Sequence, residues 1–458
     1  MRKYCQRLKM PLLTLIVIAL LFALSASGCA TDGSQQSSSD MQAAAQKLAS
    51  AFDSSAMCQT CHRNIVDQHN QSMHAKSFSN PVFQAQYFRE LLPRISQSEM
   101  LGREADRCIA CHDPIGYIRN RGHITSMSQT EPELSGVVCD ICHRISSYQG
   151  DRPGGGNFTA SPGENKFGPF KHASDRHHSY NALQTKSEFC AICHNDVNHN
   201  GLEIKSTFTE WEKSSYAKKK ISCQDCHMNI QGFLSDGKPS FASGQAASMT
   251  IGTNYKRNKI YTHRFPGAHS RTQIEGAIMM GLTVDRAEAS AGDEININVQ
   301  IYNRKAGHSM PSGSADLRML WLELTAESGG VVMHIPATPS AGDTGLDVAG
   351  RAPFDRELFA DDIPTGSRMY RTIFTDHSGK PTLSSYDAVK ILFDNRLIAE
   401  EHRSESYKFK VPPSFRASAT IKARLVYLRY PSSFADALSV EKAEPFVMAH
   451  NSRDLKIR

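Results

Sequence analysis

At 458 residues the chain is longer than one hydrophobic core normally serves, so two domains are expected. Its formal charge is +6, but residues 1–28 hold four of the basic residues and none of the acidic ones, and removing those four takes +6 to +2. The basic balance therefore gives no ground for a nucleic-acid partner.

Taken in chain order, the first segment is a leader. Arg2, Lys3, Arg7 and Lys9 precede an apolar run at 11–24 that is too short for a stable membrane span, and Ala26-Ser27-Gly28-Cys29 closes it with small residues. The pattern resembles a bacterial lipoprotein signal, although Ala26 stands where Leu is more usual. That resemblance implies cleavage before Cys29, diacylglycerol on its thiol, and, with Ala30 following, sorting to the outer membrane. Residues 29–50, rich in Ser, Gln and Ala, read as a tether between lipid and domain.

The next segment, 51–274, holds the chemistry. Cys5 leaves with the leader and Cys29 takes lipid; the other ten of twelve cysteines fall in five identical frames. These are Cys58/Cys61/His62, Cys108/Cys111/His112, Cys139/Cys142/His143, Cys190/Cys193/His194 and Cys223/Cys226/His227. Two thiols separated by two residues reach the two vinyl groups of one haem, and the adjacent His lies under the ring as proximal iron ligand. Disulfides or zinc thiolates do not demand a His after each second Cys. Placed at random, five of five would arise with odds on the order of one in ten million. Five covalent haems c are expected, whose propionates would make the holoprotein neutral to acidic. First cysteines are 50, 31, 51 and 33 residues apart, a long-short rhythm that suggests an internal duplication and aligns Tyr216 with His74. At about 45 residues per haem, the haems supply much of the apolar core, so this domain should not fold without them.

Beyond 275 the pattern changes. Ile295 to Ile301, Tyr407 to Val411, and Ile421, Ala423, Leu425 and Tyr427 alternate apolar with polar, and 317–324 is a further strand candidate containing Trp321. The expected fold class is α+β and multidomain: a mostly helical and loop-rich multihaem cytochrome c domain at 51–274, then an antiparallel β-sandwich at 275–458 that serves structure or docking.

Several local segments carry a family resemblance. Ser72-Met73-His74-Ala75, Gly136-Val137-Val138-Cys139-Asp140, Ser187-Glu188-Phe189-Cys190 and Ser222-Cys223-Gln224-Asp225-Cys226-His227-Met228 resemble bacterial multihaem cytochromes distantly related to hydroxylamine oxidoreductase and the pentahaem nitrite reductase. The resemblance covers about 57–270 and, more weakly, 307–311. It implies distal iron ligands at His74, at His177 or His178, and at His263 and His269; His308 would have to reach across the domain boundary. His123, His172 and His199 follow as candidates, and His69, His334, His377, His402 and His450 read as structural.

The expected function is electron transfer between periplasmic donors and an outer-membrane or extracellular acceptor. Its expected partners are other redox proteins, periplasmic or outer-membrane cytochromes or a porin-type complex, and the membrane through the lipid anchor, with no nucleic acid. No catalytic residue is expected. The alternative is a haem enzyme acting on nitrite, hydroxylamine or tetrathionate through one open iron. It lacks a Cys-x-x-Cys-Lys motif, and its best point is Tyr216 standing where the repeat has His74.

Overall fold

The computed structural model describes residues 38–458 apart from 161, 172–177, 235–236, 248–255, 340–343 and 360–361. The leader, Cys29, His172 and His177 lie outside the described residues, and of His178 only the backbone is described. The chain divides into a unit at 1–44 and a compact unit at 45–458. No helix among the described residues is long and apolar enough to cross a membrane.

The segment expected to be a tether contains helix α1 (Ser38–Ala49). Ala45 and Ala49, one turn apart, are buried, and Ala49 and Phe52 share a cluster with Ala110, Ile115 and Ile141. The end of that stretch therefore belongs to the packed body.

Each haem motif occupies a helical turn, within α2 (Ser55–Asn70), α3 (Glu99–His112), α4 (Cys139–Arg144), α5 (Ser187–His194) and α7 (Cys223–His227), with α6 (Thr207–Lys213) between the last two. Helical spacing explains why: the first Cys, the second Cys three residues on and the His four residues on all project from one face. Short polar caps start two of these helices. Ser98 Oγ accepts from the Met100 amide at 3.2 Å before α3, and Ser222 and Asp225 form a reciprocal capping box before α7. Helix α2 is kinked at His62, whose φ and ψ are −112° and 36°. Short two-stranded ribbons fill the intervals, such as Asp196–Val197 with Glu203–Lys205, which alternation over so few residues cannot signal.

The second half is built from longer strands: β1 (Met279–Val284), β2 (Glu288–Ala289), β3 (Glu294–Tyr302), β4 (Met319–Ser328), β5 (Val331–Ile335), β6 (Arg368–Tyr370), β7 (His402–Lys410), β8 (Ser418–Leu428) and β9 (Phe446–Ile457). One sheet runs β2-β9-β8-β4-β5, with β6 also on β4; another runs β7-β3-β1. Ile295, Ile297, Val299 and Ile301 of β3 and Tyr407 and Phe409 of β7 share one buried cluster with Leu320, Leu322 and Leu324 of β4 and Ile421, Ala423 and Leu425 of β8. The inner faces of the two sheets thus meet over a common apolar core, with the mixed helix-and-sheet content expected. Two features depart from the expected pattern. Strand β2 pairs parallel with β9. Strand β4 is buried on both faces over Met319–Leu324, because its Trp321 side packs under Phe434, Ala435 and Leu438 of the helix Ser432–Leu438.

The two halves are fastened by polar groups. Asn198 Nδ2 donates to the carbonyls of Ser385 at 2.9 Å and Ala388 at 2.7 Å, Arg94 forms a two-pronged pair with Asp387, and Arg396 meets Glu210 at 2.7 Å. Apolar contacts cross as well: Ala85 packs in the Trp321 cluster and Tyr386 packs with Phe78, Tyr87 and Ile109.

Candidate functional site

One continuous cavity of about 1170 Å³, partly open to solvent, is lined by all ten motif cysteines, all five motif histidines, and His69, His74, His263, His269 and His308. The ten cysteines are free thiols. Burial pushes those of Cys108, Cys142 and Cys226 up to about 12, so they are protonated at neutral pH.

The histidine rings carry the geometry. His74 faces His194 with ring centroids 6.1 Å apart, His143 faces His263 at 6.3 Å, and His227 faces His308 at 6.3 Å with the planes only 10° apart. Two imidazoles bound to opposite sides of one metal ion, each about 2.0 Å from it and about 1.2 Å from ring nitrogen to centroid, would stand about 6.4 Å apart. Each pair joins a motif histidine to one from elsewhere in the chain, and the spacing fits an iron between them.

The tautomers suit the same role. Nδ1 of His62 donates to the Ala246 carbonyl at 2.8 Å, that of His112 to Ser77 at 3.0 Å, and that of His143 to Phe167 at 2.7 Å. Opposite them, Nδ1 of His263 donates to Tyr261 at 3.2 Å and that of His308 to Ser309 at 2.9 Å. A carbonyl can only accept, so in each case Nδ1 holds the proton and Nε2 keeps the lone pair a metal needs. Burial, with neighbouring histidines, holds His74 down to about 3 and His227 to about 4. Burial first, then His143, brings His263 to about 4. All three are neutral and ready to ligate at ordinary pH.

The remaining candidates fall apart from these pairs. His269 lines the cavity but is exposed, and its Nδ1 lies 2.9 Å from Arg429 Nη1; no motif imidazole faces it among the described residues. The ring of His112 stacks on Phe83 at 3.9 Å. His69 is buried with Nε2 donating to the Val137 carbonyl at 2.8 Å, His123 pairs with Asp106 at 2.7 Å, His199 lies 3.3 Å from Glu104, and His402 stacks on Tyr302 at 3.7 Å. Tyr216, the repeat counterpart of His74, lines the cavity but its hydroxyl donates to the Arg304 carbonyl and its ring packs on Gly307.

Polar groups in and beside the cavity wall carry no sequence signature. Lys205 lines the cavity, and Asp316 places a buried Oδ1 there without a hydrogen-bond partner. Burial pushes the Asp316 carboxyl up to about 6, with Lys205 and Arg318 pulling against it. Burial also drives Glu210 upward, but Arg396, His308, Ser206 and Ser312 outweigh it and leave Glu210 below the usual carboxylate range. None of these residues sits in a recognisable motif; only the fold assembles them.

Comparison with known proteins bears on the fold and on the first three motifs. Residues 57–144, which span the first three motifs, match the family model described as cytochrome c554 and c-prime. The chain is similar in fold to a penta-haem cytochrome c552 from Thermochromatium tepidum, with a TM-score of 0.63 and 22% identity, over 88% of this chain and 99% of that one. A Niemann-Pick type C2 protein from Japanese carpenter ant (TM-score 0.18, 9% identity, 40% of this chain, 95% of that one) and the fimbrial subunit AggA from Escherichia coli (0.19, 7%, 40%, 98%) align too loosely to carry any argument. No curated protein matches the chain. The chain thus shares the fold of a penta-haem cytochrome, its first three motifs lie in a segment that matches a cytochrome c family model, and all five motifs line one cavity.

Proposed function

We propose that the chain binds five haems c through its five motifs and passes single electrons along them, as an exported protein held to a membrane by lipid on Cys29. The bound haems supply one-electron redox chemistry; the chain attaches, orients and shields them. The reading rests above all on the three facing imidazole pairs, His194 with His74, His143 with His263 and His227 with His308. Two histidines per iron leave no coordination position for substrate, which suits a carrier. For His62 and His112 the remaining ligand candidate from the resemblance is His177 or His178. The donors and acceptors are other redox proteins, periplasmic or at the outer membrane, and the sheets of 275–458, an antiparallel sandwich in the main, form a structural or docking domain.

The test is spectroscopic. Protein from a host competent in c-type maturation should contain five haems per chain by mass spectrometry, with low-spin signals dominating. His74→Ala and His263→Ala should each convert one haem toward high spin. Unchanged spectra in both variants, or fewer than five haems on the full chain, would defeat the proposal. A second reading, an oxidoreductase of nitrite, hydroxylamine or tetrathionate, draws on His112, whose ring faces no histidine among the described residues and shares its cavity with Lys205 and Asp316. Stoichiometric carbon monoxide binding to one haem, with turnover of one of those substrates, would favour it.

A further inference from the structure

His308 is the one histidine of the three facing pairs that comes from the β-sheet half, on the loop between β3 and β4, and it must be presented across the seam between the halves. The loop is anchored on the haem side by α6, through Thr207, whose Oγ1 lies 2.8 Å from Ser312 Oγ and accepts from the Gly313 amide at 3.2 Å, and above all through the buried carboxylate of Glu210. Glu210 Oε2 accepts from the Ser309 amide at 3.1 Å and from Ser312 Oγ at 2.7 Å. Its Oε1 accepts from Arg396 Nη1 at 2.7 Å and from Ser206 Oγ at 2.7 Å. The same Arg396 nitrogen donates to the Pro311 carbonyl at 3.1 Å, so the guanidinium and the carboxylate grip the loop together.

We propose that Glu210 is a positioning residue that holds His308 in place as the sixth ligand of the haem on Cys223, Cys226 and His227. The inference rests on the reading that an iron sits between His227 and His308. Four donors converge on the Glu210 carboxylate from both halves of the chain. Replacing it leaves the Ser309 amide without its acceptor and takes from Arg396 its carboxylate partner in a buried site, which drives the loop to rearrange. The residue next to His308 is the one whose amide Glu210 binds, so the displacement falls directly on the ligand.

The experiment compares His308→Ala, Glu210→Ala and the double variant as holoproteins matched for haem content, by ferric electron paramagnetic resonance and by imidazole titration. His308→Ala should place one haem in the high-spin state, and added imidazole should restore low spin. Glu210→Ala should affect that same haem, and the double variant should match His308→Ala with no further haem lost. Should Glu210→Ala fail to fold, Glu210→Gln, which keeps the volume and loses the charge, should give a partial conversion of the same signal. A Glu210 variant with wild-type spectra beside a responsive His308→Ala, or high-spin haem that adds to that of His308→Ala, overturns the positioning role alone. A silent His308→Ala overturns the ligand assignment, and this inference with it.

Discussion

Asn198 shows how one side chain can fasten two halves of a chain. Its amide nitrogen donates to Ser385 and Ala388, while its oxygen accepts from the amides of Asn200 at 3.0 Å and Leu202 at 3.1 Å, so each polar atom of the amide is engaged. Asn198→Ala strands several buried backbone groups at once and should cost about 2–3 kcal/mol. A thermal midpoint unchanged from wild type would refute this. Asp316 behaves in the opposite sense. Its folded pKa, about 6, lies above the unfolded value near 3.9, so between those limits the folded state binds the extra proton, and its contribution to stability is lost as pH rises through about 6. Asp316→Asn should therefore gain on wild type by about 3 kcal/mol between pH 4 and pH 7. Paired denaturation curves at the two pH values test this, and a pH-independent difference would sink it. Neither residue was legible beforehand, because what makes them matter is burial beside distant segments. The resemblance singled out His74, His263 and, more weakly, His308, each of which lies opposite a motif imidazole; it singled out His269 as well, which is exposed beside Arg429.

At the scale of elements, legibility followed length. The Cys-x-x-Cys-His frames announce helical turns because only helical spacing gathers their three side chains, and β3, β7 and β8 announce themselves by alternation sustained over many residues. The ribbons between the motifs escaped notice because two or three residues carry no period. Strand β4 hid its second buried face, since a helix covers it from outside the sheet. The boundary expected at 275 rests on the same difference in pattern. The cluster between the two sheets draws its buried members from Ile274 to Ile457, all but Ile274 from within 275–458. A fragment of residues 275–458 should therefore fold alone and unfold in one cooperative transition. Arg396 would lose Glu210 but keep Asp394 at 2.8 Å, so the seam does not dictate the fold of the fragment. A broad, non-cooperative melt of the fragment would refute an independent domain.

The whole molecule turns on its cavity. Its apolar walls, Phe83, Phe208 and Trp211 among them, are the surface that bound haems would cover. On the proposed reading, haems would complete the packing of the first half, whose own buried clusters around Ile141 and Ile109 are small, while the sheets of the second half share a larger core of their own. Chain made without c-type maturation should accordingly show both behaviours at once. Limited proteolysis should remove residues before about 275 quickly and leave a resistant fragment near 20 kDa, a size that follows from about 110 Da per residue for an independently stable domain. Circular dichroism of that material should retain strand signal and lose helix. An unmatured chain that resists protease along its full length, and melts in one transition with the holoprotein's helix content, would show that the haems are guests in a finished fold and not its core.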